Sequence, residues 1–111
     1  MTATDTLVVL VTTSSAEEGQ RIARALVAEH LAACVNVLPG VRSVFFWDGQ
    51  LQEAAEALLV VKTRRECYEA LQQRVLELHG YSVPEVLALS VETGSPAYLA
   101  WVGDTVRTEG G

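Results

Sequence analysis

The sequence has few cysteines, few aromatic residues and few positive charges. Two of its 111 residues are cysteines, 6% are aromatic, and fourteen Asp and Glu residues outnumber eight Lys and Arg residues, so the formal net charge is −6. Two thiols do not make a disulfide framework, and they fit a reducing compartment. Binding to DNA or RNA depends on a basic surface patch, which the pair Arg64-Arg65 is too small to supply. We therefore expect no nucleic-acid partner.

Long apolar runs and a secretion signal are also missing. No run of about 18 consecutive apolar residues occurs, so we expect no membrane span. The first five residues, MTATD, lack the basic and apolar segments of a signal peptide, which favours a cytoplasmic location. Gly110 and Gly111 are expected to fray. The length, with half of the residues hydrophobic, predicts a single domain (residues 1–111) with one modest core.

The order of hydrophobic patterns predicts an α+β fold. Short apolar runs are typical of buried strands, and apolar residues three and four positions apart are typical of amphipathic helices. Ser14 and Ser15 each stand three residues before a glutamate, as does Thr63. This spacing is called a capping box, and it marks a helix start. The first half of the chain is predicted to form a strand at 7–11, a helix to about 30 and a strand at 32–47 that Pro39-Gly40 interrupts. The second half is predicted to form a strand at 58–61, a helix that starts at residues 63–66 and stops at Gly80, a strand at 86–91 and a short helix that starts at Ser95-Pro96. This β-α-β-β-α-β order is the split βαβ, ferredoxin-like arrangement.

The stretch QEAAEALL at residues 52–59 gives conflicting signals. Its composition favours a helix. It directly follows Asp48-Gly49, the strongest short hairpin signal, and it leads into the strand-like residues 58–61. The residues alone leave helix and strand open at this point.

A strand through the fifties would be too long for its own domain. Residues 50–63 would span about 45 Å at roughly 3.3 Å per residue. A compact domain of this length has a diameter on the order of 34 Å. The hairpin would project and expose unpaired backbone groups, which invite pairing with another chain. This predicts a closed homo-oligomer; a helical or irregular segment at 51–57 is the alternative.

Five motifs resemble the CutA divalent-cation tolerance proteins. They are LAACVNVLPGVRS at 31–43, FWDG at 46–49, LVVKT at 59–63, YSVPE at 81–85 and YLAW at 98–101. They occur in the family's order and extend the resemblance over about residues 7–106. The resemblance implies a ferredoxin-like subunit with a long β2–β3 hairpin, a strand in the fifties, a short C-terminal helix and a homotrimer. It also implies a role in copper and divalent-cation tolerance without an enzymatic reaction.

Three positions depart from the family pattern. The family usually has His-Pro-Tyr where this chain has His79-Gly80-Tyr81, and many members have tyrosine in place of Phe45. Some bacterial members carry a cysteine near Val11 that has been discussed as a copper ligand. A copper site built on that thiol does not carry over to this chain.

His79, Glu85 and Cys34 are the candidate metal donors. Cu(II) favours imidazole nitrogen and carboxylate oxygen, and His79 and Glu85 lie six residues apart around Pro84. Two donors from one chain make a weak site, which symmetric copies would strengthen. The alternatives are that His79 ends a helix as an imidazolium, that Glu85 forms an ion pair, and that Cys34 is a buried thiol. No cofactor is required; copper or another divalent cation is the expected ligand.

Lys62, Tyr81, Trp47 and Trp101 are candidates for a ligand cleft. The CutA trimer resembles that of PII signalling proteins, and aromatic walls with one cation suit a small anionic ligand or nucleotide between subunits. The alternative is that the tryptophans only anchor packing. The chain lacks G-x-S-x-G, H-E-x-x-H and a glycine-rich phosphate loop, so we expect no enzyme activity.

Overall fold

Residues 4–107 are described by a computed structural model, and their element order is the one the sequence predicts. The elements are β1 (Thr6–Thr13), α1 (Ala16–Ala28), β2 (Cys34–Trp47), β3 (Gln50–Arg64), a 3-10 turn (Arg65–Cys67), α2 (Tyr68–Leu78), β4 (Val86–Ser90) and α3 (Pro96–Thr105). The strands form one antiparallel sheet in the order β2-β3-β1-β4. This α+β, split βαβ architecture confirms the predicted fold class. The predicted fraying of Gly110 and Gly111 lies outside the described residues.

The core lies between one face of the sheet and helices α1 and α2. Alternate residues of the two central strands, among them Val9 and Leu59, are fully buried against Ile22, Leu26 and Leu71. Helix α3 packs in a smaller cluster with Val102 and Val106. Within residues 4–107 no helix is long and apolar enough to cross a membrane.

The stretch at 52–59 is a strand, as the family resemblance implies. Strand β3 pairs with β2 from Gln50 onward and with β1 from Ala57 to Arg64. These ladders override the helix-favouring composition. The turn at Asp48 and Gly49 has positive φ at both residues, 54° and 73°, which is the two-residue turn whose twist suits a hairpin. At Pro39-Gly40 the register shifts between Leu38 and Val41, and this bulge is also as predicted.

The end of the β2–β3 hairpin projects from the domain. Strand β1 ends opposite Ala57, so residues 50–56 of β3 pair on one side only. The molecule measures 43 × 30 × 22 Å, and its radius of gyration of 14.6 Å exceeds the roughly 13 Å of a compact chain of this length. We call this projecting end, residues 41–56, the hairpin arm.

The helix starts agree only in part with the predicted capping boxes. Ser15 caps α1, since its hydroxyl accepts a hydrogen bond from the Glu18 amide at 3.1 Å. The predicted box at Thr63 is wrong, because pairing with Leu7 carries β3 to Arg64 and buries Thr63, whose hydroxyl donates to the Leu31 carbonyl at 2.7 Å. Ser95 makes no side-chain cap, although Pro96 does begin α3.

The core assignment predicts unequal effects for two leucines of α2. Leu71 is fully buried, whereas Leu76 lies on the exposed side. Leu71→Ala should lower the free energy of unfolding by about 2–5 kcal/mol through lost burial and the cavity left behind. Leu76→Ala should change it by less than about 0.5 kcal/mol. Urea unfolding at equal protein concentration measures both, and similar losses would contradict this packing.

Candidate functional site

His79 follows the last residue of α2, and its ring is fully buried. Its Nε2 lies 2.7 Å from the Thr12 carbonyl oxygen, and its Nδ1 lies 3.0 Å from the Tyr81 amide nitrogen. Because an amide donates and a carbonyl accepts, these partners assign a neutral ring with the proton on Nε2. Both nitrogens are thus engaged within the subunit, unlike the imidazolium at a helix end that the sequence suggested as an alternative. A metal role for His79 stays a prediction, and it requires one of these bonds to open.

Glu18 connects α1 to the loop that follows α2. One carboxylate oxygen accepts hydrogen bonds from the amide and hydroxyl of Ser14, at 2.9 and 3.0 Å, and the other accepts from the Gly80 amide at 2.8 Å. Burial raises the pKa of Glu18, but the hydrogen bonds from Ser14 and Gly80 outweigh it, so the net pKa lies below the ordinary value. A proline at position 80 would lack this donor.

Tyr81 joins the same loop to the hairpin arm. Its hydroxyl donates to Glu56 at 2.8 Å, and its ring centroid lies 4.8 Å from that of His79. Burial, followed by the hydrogen bond to Glu56, raises the pKa of Tyr81 to about 12. The phenol is therefore a stable hydrogen-bond donor at neutral pH.

A groove of ≈ 910 Å³ lies between the hairpin arm and the loop at 80–85. We call it the arm groove. Its lining includes aromatic rings, carboxylates and hydroxyls, from Phe45, Phe46, Trp47, Tyr81, Glu56, Glu85, Ser43 and Ser82. Among the described residues, no lysine, arginine or histidine lines it. Of the residues predicted from sequence, the structure brings Trp47, Tyr81 and Glu85 together here.

Cys34, Lys62 and Trp101 lie outside the arm groove. Cys34 pairs with Lys62, whose amine contacts the Asn36 side chain and lies 4.0 Å from the Cys34 sulfur. Trp101 packs against Tyr98 on α3, with ring centroids 5.6 Å apart. The pair of Cys34 and Lys62 lies four residues, or about 13 Å, along β3 from Leu58, the partner of Thr12 beside the arm groove.

The three candidate metal donors do not form one set within a subunit. No group of three or more His, Cys, Asp or Glu side chains suited to a metal occurs among residues 4–107. A metal role for these donors stays a prediction, and it requires ligands from elsewhere, such as a symmetric copy.

Sequence reasoning missed the roles of Glu18 and Glu56. Glu18 was visible as the last residue of a capping box, but its contact with Gly80, 62 residues away, was not. Glu56 lies in the stretch whose conformation the residues left open. Only the strand assignment brings it level with the loop that carries Tyr81.

The fold and the site together define a class of protein. Its members are split βαβ subunits in which the β2–β3 hairpin extends beyond the rest of the sheet and forms a groove with the loop before β4. The profile described as CutA1 divalent ion tolerance protein matches residues 7–105. The chain belongs to this family, which confirms the resemblance found in the sequence.

Relatives and solved structures of the family are similar over most of the chain. The divalent-cation tolerance protein CutA of Thermus thermophilus is 47% identical over 95 residues, which cover 86% of this chain and 92% of that protein. The chloroplastic protein CutA 1 of rice (Oryza sativa) is 43% identical over 106 residues, which cover 96% of this chain but 60% of that protein. This chain thus spans less than two thirds of its plant relative's length.

The solved structures give the same result. The Thermus thermophilus protein has a TM-score of 0.90 at 44% identity, covering 92% of this chain and 99% of that chain. The CutA of Archaeoglobus fulgidus, described as periplasmic, has a TM-score of 0.89 at 36% identity, covering 92% of this chain and 99% of that chain.

The Glu18 contacts predict a specific loss of stability in acid. Because the folded-state pKa lies below the ordinary 4.5, the carboxylate stabilises the fold above about pH 4.5, and this contribution is lost as the pH falls through the folded-state pKa. Glu18→Gln should cost about 1–3 kcal/mol at pH 7 and should flatten the dependence of stability on pH below 4.5. Urea midpoints between pH 7 and 3 measure this. The exposed Glu69→Gln variant is the control, and equal acid slopes in wild type and Glu18→Gln would contradict the assignment.

Proposed function

We propose that this protein acts in divalent-cation tolerance as a non-enzymatic, cytoplasmic homotrimer that binds divalent cations such as Cu(II) weakly or at subunit interfaces. The observation that carries the proposal is membership of the CutA1 family over residues 7–105. The free thiols of Cys34 and Cys67 fit a reducing compartment, although the rice relative is named chloroplastic.

Assembly is supported by unpaired backbone and by an uncovered apolar face. Strands β2 and β4 are the edges of the sheet, and residues 50–56 of β3 add a third free edge. Leu87 and Leu89 pair with Leu10 and Val8, so they point away from the helices and are more than half exposed. Long apolar edges pair readily with other chains. A closed ring of three copies covers these edges, in the form that the family resemblance implies.

Weak metal binding follows from how few donors one subunit gathers. Glu56 and Glu85 both line the arm groove, and carboxylate oxygen is an acceptable ligand for divalent ions. A strong site needs three or four donors. A groove beside a free strand edge is where a second copy would add them.

The alternative of a small anion or nucleotide receives less support from the geometry. Lys62, the cation invoked for it, contacts Asn36 instead of the arm groove. The described lining of the groove carries two carboxylates and no basic side chain. An anion would be repelled there.

The trimer prediction is tested by light scattering. At micromolar concentration the mass should be three times the 12.0 kDa of the chain. Leu89→Lys places a charge on the uncovered face and should lower the mass towards that of the monomer. Leu76→Lys, a change of another exposed leucine on α2, should leave the mass unchanged. A monomer mass for the wild type would refute assembly.

The metal prediction is tested by calorimetry with Cu(II) on the assembled protein. Glu85→Gln removes a charged oxygen donor without disturbing the core, and it should weaken binding by about tenfold or more. Glu69→Gln, an exposed glutamate on α2, is the matched control. Negligible heat in the wild type, or the same isotherm in wild type and Glu85→Gln, would remove the metal role of this site.

A further inference from the structure

Aromatic side chains are concentrated in the arm groove. The chain has seven Phe, Trp and Tyr residues, and four of them line this groove. Phe46 and Trp47 are largely exposed, at 73% and 57%, although each would bury a large apolar area in a core. Exposed aromatic rings grouped in a groove are typical of a surface that binds a ligand or another chain.

The charge of the arm groove is negative and uncompensated among the described residues. Glu56 and Glu85 have no ion-pair partner in residues 4–107, whereas Glu53 on the arm is paired with Arg42 at 3.6 Å. Glu56 accepts one neutral hydrogen bond, from Tyr81, which leaves its charge in place. Carboxylates beside aromatic faces favour a cation, because the face of an aromatic ring also attracts positive charge.

We propose that the arm groove binds an aliphatic ammonium ion, with a short diamine or polyamine as the ligand class. The ammonium donates hydrogen bonds to Glu56 or Glu85 and lies over an aromatic face. The methylene stem packs against the rings, as lysine stems do on apolar surfaces.

Charge and lining distinguish this ligand from the others. A strongly hydrated divalent ion gains little from aromatic walls, an anion is repelled, and an uncharged apolar molecule would bury carboxylates without partners. The groove's ≈ 910 Å³ falls in the range of small-molecule sites, about 300–1,000 Å³.

This inference does not depend on the proposed metal role. Both cations would use the carboxylates, but only the ammonium would use the aromatic walls. Variants of the aromatic wall therefore separate the two, and either role can fail while the other stands.

The first experiment uses Trp47 as a reporter. Trp101→Phe leaves Trp47 as the single tryptophan of the chain. Titration of the assembled protein with 1,4-diaminobutane at constant ionic strength should change its fluorescence saturably. In this background Glu56→Gln and Glu85→Gln should each weaken binding about fivefold, the upper range for an exposed ion pair. Glu69→Gln should bind as the parent does.

The second experiment compares the two exposed tryptophans by calorimetry. Trp47→Leu should weaken diaminobutane binding about threefold to tenfold and leave the Cu(II) isotherm unchanged. Trp101→Leu, outside the groove, should leave both unchanged. A wild type that binds diaminobutane but not Cu(II) would refute the proposed metal role alone.

Three results would overturn the ammonium site. The first is an equal fluorescence change with sodium or magnesium chloride at the same ionic strength, since that reports screening. The second is unchanged binding in both carboxylate variants. The third is the absence of a saturable response in the assembled protein.

Discussion

The unequal length of neighbouring strands determines most of what is distinctive in this protein. Strand β3 has fifteen residues and strand β1 has eight, and they are aligned at the Arg64 end. One half of β3 is therefore central in the sheet, and the other half is an edge supported only by β2. The projecting arm, its free backbone groups and the groove beside it all follow from this mismatch.

A buried carboxylate fixes the other wall of the groove. Glu18 accepts hydrogen bonds from two separate segments: from Ser14, just before α1, and from Gly80, just after α2. A buried charge is tolerable only when its oxygens are satisfied, and here both are. Its contact with Gly80 holds the loop at the height where Tyr81 reaches Glu56 on the arm. The groove thus depends on one charge that lies outside it.

Local signals predicted the parts of the fold that local chemistry controls. The turn at Asp48-Gly49 needs positive φ at two adjacent positions, and few residue pairs permit it. The errors arose where a partner distant in sequence decides. Thr63 reads as a helix cap until its pairing with Leu7 makes it a buried strand residue. His79 does end α2, as expected, but the distant Thr12 carbonyl, which engages its ring, was not foreseen. The expected cleft likewise joined Lys62 to Tyr81, which the register separates.

The proposed assembly and the proposed cation binding would be thermodynamically linked in this geometry. The free edge of β3 at 50–56 belongs to the same arm that carries the aromatic rings and Glu56. A neighbouring chain that pairs with this edge would exclude water from the groove and strengthen the attraction between its carboxylates and any cation inside. By linkage, a cation that prefers the closed groove must stabilise the assembled form to the same extent. On this proposal, an isolated subunit would bind a cation in the arm groove more weakly than the assembled protein.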